Sequence, residues 1–142
     1  MDQQISLQNT ITLAKPNALA KQNTLAKHRA AETRGRVAED EVAQYWRRKG
    51  FGVLAQRLRT GAGEIDLVVA NAQALVFVEV KARKTLAEAA YAVTPWQQAR
   101  LLGAASLALA MHEDWERPCT RFDVALVHPG GVSHIEDAIR YN

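Results

Sequence analysis

The amino-acid sequence predicts an α/β fold with the element order αβββαβ, a mixed sheet flanked by helices. Three observations carry this. Apolar residues recur at three- and four-residue steps ahead of Gly50, as they do along one face of a helix. Between residues 51 and 83 three runs alternate apolar and polar side chains and are parted by short turn signals. Thr94-Pro95 then opens an alanine- and leucine-rich helical stretch, followed by a last strand-like run.

The elements follow in order. Residues 1–33 contain no aromatic residue and no glycine, and repeat Leu-Ala-Lys from positions 13, 19 and 25. A six-residue step suits neither a helix face nor a strand face, so this segment reads as a basic, flexible arm ahead of a domain spanning 34–142. From about Arg29 to Lys49, Val37, Ala38, Val42, Tyr45 and Trp46 mark a buried stripe. Arg47-Arg48-Lys49 before Gly50 supply a basic last turn and a glycine stop. Strands are expected at 51–59, 64–70 and 75–83, joined by Thr60-Gly61-Ala62-Gly63 and Asn71-Ala72-Gln73. Thr94 is placed as a cap, Pro95 as the first helical residue and Gln97 as the closing member of a capping box, with the helix reaching about His112. A strand at 121–128, a turn at Pro129-Gly130-Gly131 and a short edge strand at 132–136 complete the chain.

The totals bound the function. At 142 residues, 48% hydrophobic and 23% charged, the composition is that of a water-soluble domain with one core. The opening Met-Asp-Gln-Gln resembles no secretion signal and no run is long enough to span a bilayer, so the protein is expected in the cytoplasm, away from membranes. A single cysteine, Cys119, excludes an internal disulfide and a cysteine-based zinc cluster, and the four histidines lack zinc-type spacing. The net charge is +3, with eleven basic and seven acidic residues over 34–100 but three basic and six acidic over 101–142. The basic excess lies where an acidic partner such as nucleic acid is met, although charge runs of this kind also serve as solvated faces.

Chemistry concentrates on two neighbouring strands. Alternation puts Glu79, Lys81 and Arg83 on one face of the third strand and Val76, Val78 and Val80 on the other. On the second strand it groups Glu64, Asp66 and Val68 against Ile65, Leu67 and Val69. A turn centred on Ala72 then brings Asp66 opposite Val78 or Glu79. Carboxylates that close raise one another's pKa unless a cation separates them, and oxygen-only donors favour Mg²⁺ or Mn²⁺. Glu39 sits at the edge of the helix's buried stripe, within reach of the same group or as a surface glutamate. The competing reading of the strands is an ordinary Glu79–Lys81 ion pair on a solvated sheet face.

Gly35 and Ala38-Glu39 in the first helix, Gly63-Glu64-Ile65-Asp66-Leu67, Val76-Phe77-Val78-Glu79-Val80-Lys81-Ala82-Arg83, Ala92-Val93-Thr94-Pro95 and Arg121-Phe122-Asp123-Val124 form an ordered set. Together they resemble the D…ExK signature of the PD-(D/E)xK, or restriction-endonuclease-like, superfamily. Within it they are similar to the YraN-like family of uncharacterised bacterial proteins, whose layout is similar to that of archaeal Holliday junction resolvases. The resemblance covers about residues 34–140. It implies a restriction-endonuclease-like core and a Mg²⁺- or Mn²⁺-dependent endonuclease acting on DNA, branched DNA included, with a homodimer by analogy to resolvases. It implies that Asp66, Glu79 and the Val80 carbonyl are metal ligands. Lys81 would position or deprotonate the attacking water, and Glu39 would support the metal from the helix. Arg57, Arg59, Arg83 and Lys84 are the candidates for phosphate contacts. One departure stands out, because the family often has basic residues after the Thr-Pro element where this chain has Trp96-Gln97-Gln98-Ala99. The alternatives are a nucleic-acid-binding protein of this fold without hydrolysis, and a protein-interaction module using the charged face.

Overall fold

The computed structural model describes residues 2–140, with side chains from residue 18 onward. In chain order it contains α1 (Asp2–Arg48), β1 (Gly52–Thr60), β2 (Gly63–Ala70), β3 (Ala74–Ala82), α2 (Leu86–Ala92), α3 (Pro95–Met111), a single turn of 3₁₀ helix (Glu113–Trp115), β4 (Cys119–His128) and β5 (Gly131–Ile135). The five strands form one sheet in the order β1-β2-β3-β4-β5. All pairs are antiparallel except β3 with β4, which run parallel and need the α2–α3 crossover. This is the αβββαβ core with one added helix and one added edge strand.

The first helix is longer than the sequence pattern indicates, beginning at Asp2 instead of near Arg29. Leucine, alanine, glutamine and lysine there are good helix formers, but residues 18–36 are exposed throughout, so that part has propensity without a buried face. Lys15 and the first Leu-Ala-Lys lie outside the described side chains. Two compact units divide at this point, residues 1–36 and residues 37–142, and everything below concerns the second. There the helix buries Ala38, Val42, Ala43 and Trp46, whereas Val37 faces outward. Its end is a Schellman motif: Phe51 N–H donates to the Trp46 carbonyl (3.1 Å), Gly50 N–H to that of Arg47 (3.0 Å), and Gly50 takes φ +90°. The apolar contact that accompanies such motifs is Trp46 against Phe51, ring centroids 4.9 Å apart.

The sheet is covered on both faces. On one, Leu101, Ala104, Ala105 and Ala108 of α3 and Ala89 of α2 pack on Ile65, Val68, Leu75, Phe77 and Phe122. On the other, Val42, Ala43 and Trp46 of α1 pack on Leu67, Val69, Val76 and Val78. Small residues on α3 let its backbone approach the sheet, which fixes where its N-terminus lies. The Thr94 hydroxyl accepts from Gln97 N–H (3.2 Å), as the cap pattern predicts, with Pro95 in the first turn. The reciprocal half of the capping box does not form: the Gln97 Oε1 is buried with no hydrogen-bond partner.

A polar network closes the far side of the sheet. Asp123 on β4 is fully buried; it accepts from Arg121 Nε (3.1 Å) and Asp137 N–H (2.9 Å), and His134 Nε2 lies 3.7 Å away. The other ring nitrogen of His134 pairs with the Tyr45 hydroxyl at 2.5 Å, tying β5 to α1. Burial lowers the His134 pKa against the opposing pull of Asp123, which favours the neutral imidazole.

Candidate active site

The site begins with a fault in the sheet. Ile65 and Leu67 are two residues apart on β2 and by alternation should share a face, yet they belong to cores on opposite sides. The break falls at Asp66. Opposite it, Arg57 adopts φ +51°, and the β1–β2 register passes from Gln56↔Leu67 to Leu58↔Ile65 with no partner for Asp66. On the other side the β2–β3 ladder stops at Leu67↔Val78. The carboxylate of Asp66 replaces the missing ladder bond, its Oδ2 accepting from Val80 N–H at 2.9 Å. The grouping of Ile65 with Leu67 and Val69 expected from simple alternation is thus corrected: the alternation breaks at Asp66 while the β1–β2 register continues unchanged across it.

Four carboxylates converge on this fault. Burial, and then the charge of the neighbouring Glu79, pushes the Asp66 pKa up to about 7. Burial and then the Asp66 charge push Glu39 up, likewise to about 7, while Arg57 pulls it down. Lys81 Nζ lies 3.2 Å from Glu79 Oε1, and both side chains are largely buried. Arg57 Nε stands 3.6 Å from Glu39 Oε2 and 3.8 Å from Glu64 Oε1. The structure therefore brings Glu39, Asp66, Glu79 and Lys81 into one neighbourhood. It also draws in Arg57, expected as a phosphate contact, as a counter-charge among the carboxylates.

The other basic candidates lie apart from this group. Arg59 is almost fully exposed and is 3.6 Å from Glu64. Arg83 donates to the carbonyl of Ala82, and Lys84 N–H donates to Glu88. Two features escaped the sequence reading. Thr85-Leu86-Ala87-Glu88 is a capping-box pattern, and Thr85 does cap α2 by accepting from Glu88 N–H (3.1 Å). A cleft lined by Gly63, Glu64, Glu79, Trp96, Gln97 and Arg100 opens beside the carboxylates, and only the unusual Trp96 hinted at it.

The donor set can be weighed against a metal. Among the described residues no three or more His, Cys, Asp or Glu side chains form a ligand cluster. The protein's share is the Asp66–Glu79 pair, with the Val80 carbonyl adjacent in sequence. That suits Mg²⁺, which keeps several waters and takes one or two carboxylates; the Asp66 pKa is raised first by burial and then by the Glu79 charge, and a cation would offset the second. Among the described residues no helix is long and apolar enough to cross a membrane.

Comparison with known proteins gives a family and no activity. The model of the uncharacterised protein family UPF0102 matches residues 38–127. A UPF0102 protein of Acidiphilium cryptum is 55% identical over 112 residues, covering 79% of this chain and 88% of its own. Relatives from Azorhizobium caulinodans (46% over 110 residues; 77% and 84%) and Paramagnetospirillum magneticum (43% over 118 residues; 80% and 92%) carry the same family description. The span matched by the family model takes in Glu39, the sheet fault and Asp123.

Proposed function

We propose that the chain, which belongs to the uncharacterised protein family UPF0102, is a metal-dependent endonuclease hydrolysing DNA phosphodiester bonds, branched DNA among its substrates. The observation that carries this reading is the half-buried Asp66–Glu79 pair beside Lys81. Holding two acids in contact with a lysine at a break in a sheet is costly for the fold and useful for phosphate chemistry.

Mg²⁺ or Mn²⁺ would be held by Asp66, Glu79 and the Val80 carbonyl, supplying positive charge against the phosphate and lowering the pKa of a water. The chain's own groups do the rest. Lys81, held by Glu79, presents an ammonium that donates to a phosphate oxygen or orients the attacking water. Glu39, with its pKa near neutrality, accepts or returns a proton at working pH. Arg57 limits the repulsion between Glu39 and Glu64 and so keeps the helix carboxylate directed at the group.

The test is cleavage of linear, branched and single-stranded DNA with and without Mg²⁺ or Mn²⁺, for wild type, Asp66→Asn and Lys81→Ala. Metal-dependent cleavage that falls by about 10²–10³-fold in Lys81→Ala is expected. Cleavage persisting unchanged in both variants would come from a contaminant and end the proposal. Binding without cleavage in the wild type would leave a nucleic-acid-binding protein of the same fold.

A further inference from the structure

We propose that the cleft between α3 and the edge of β2 and β3 receives an unpaired nucleobase on the open face of Trp96, so that the strand cut at the carboxylate site is single-stranded beside the cut. This rests on the nuclease reading and names the substrate class for it.

The platform is prebuilt. The Arg100 guanidinium covers one face of the Trp96 ring at 4.8 Å from its centroid, while the side chain as a whole remains 65% exposed. Arg100 is itself anchored: its Nε donates to the Ala62 carbonyl (3.3 Å), and it lies so close over Gly63 that a Cβ there would come within 3.1 Å. The indole is therefore held against a fixed cation with its second face free, an arrangement that accepts another flat ring by stacking.

The cleft's lining offers a base a hydrogen-bonding partner. Glu64 stands on its wall, and its carboxylate accepts hydrogen bonds from the amino group of a base. A volume of about 200 Å³ has room for one ring system. In a duplex both faces of each base are already stacked on neighbours, so only an unpaired base offers its face to Trp96. Glu79 belongs both to this cleft and to the carboxylate pair, which puts the stacked base next to the phosphate being cut.

The three tryptophans make the test direct. Trp46 and Trp115 are buried, at 0% and 5% exposure, so quenching of emission by a bound base reports on Trp96. A short single-stranded oligonucleotide, and separately its duplex, is titrated into the full-length protein in EDTA while emission and the anisotropy of labelled DNA are followed. Single strand should quench emission and duplex should not. Trp96→Phe should keep single-strand affinity near wild type while losing the quench, and Trp96→Ala should weaken it about 5- to 150-fold. Single-strand binding without quenching, or equal affinity in Trp96→Ala, overturns the inference. If wild type cuts DNA while Trp96→Ala binds and cuts as well as it does, this inference fails and the nuclease reading stands. If wild type neither cuts nor binds any DNA, the nuclease reading has failed and this one with it.

Discussion

Replacing Asp66 by asparagine should make the metal-free protein more stable at pH 8. In the folded chain Asp66 has a pKa raised from 3.8 to about 7 by burial and by the Glu79 charge. A raised acid contributes stability that is complete below its unfolded pKa and lost as pH rises through the folded one. At pH 8 the native protein must therefore carry an ion that burial and Glu79 both oppose. The rise corresponds, at about 1.36 kcal/mol per pH unit, to a ceiling of about 4 kcal/mol. Asparagine keeps an oxygen to accept from Val80 N–H but brings no charge, and relaxation of the site in the wild type reduces the difference, so a gain of about 2 kcal/mol is expected. The gain should fall to less than about half by pH 5, where the wild-type site has taken up its proton. Urea unfolding of both proteins at pH 8 and pH 5 in EDTA measures this. A variant less stable than wild type at pH 8, or a gain identical at the two pH values, would refute the electrostatic account.

Other expected outcomes separate site from scaffold. Mg²⁺ or Mn²⁺ at tenfold excess over its Kd should stabilise the wild type by about 1.4 kcal/mol, more at pH 8 than at pH 5.5 because protons compete for Asp66; thermal melts should show no such shift in Asp66→Asn. Asp123→Ala should have the opposite sign, costing about 1–3 kcal/mol in urea unfolding, since it removes the acceptor of Arg121 Nε and of the Asp137 N–H while Arg121 keeps its ion pair with Glu136. Trp46→Ala, which empties the contact between α1 and the sheet, should cost about 3–5 kcal/mol by the same measurement. Gly50→Ala should cost about 1 kcal/mol, because φ +90° closes the Schellman motif; no change would mean the helix ends by another device.

Most strand and helix positions were legible because their signals are local. Asn71 accepting from Gln73 and Ala74 N–H, Thr60 accepting from Ala62 and Gly63 N–H, and Thr94 capping α3 are short-range chemistry written in consecutive residues. The proximity of Asp66 and Glu79 was equally readable, since a tight turn leaves a register error of one residue at most. What could not be read is the fault at Asp66: it depends on Arg57 entering a left-handed conformation on the neighbouring strand, which no pattern of alternation encodes. For that reason the pairing of Arg57 with Glu39 could not be foreseen, and alternation puts Ile65 on the wrong face. The cleft at Trp96 was hidden for a similar reason, because it joins the start of α3 to a turn thirty-odd residues earlier through Arg100 and Ala62. α2 was legible and passed over: Thr85 and Glu88 spell its beginning.

The sheet's connectivity bears on the order in which the protein assembles. Asp66 and Val80, whose hydrogen bond marks the site, are 14 residues apart, whereas the parallel partner of β3 arrives only after the chain has passed through α2 and α3. Short loops close at lower entropic cost and sooner, so the hairpin of β2 and β3 should form early and β4 should dock late. The two carboxylates then meet before most of the core exists to hold them, and their repulsion acts as a brake on hairpin closure at neutral pH. Acid, a divalent cation or Asp66→Asn would each release that brake, giving faster refolding.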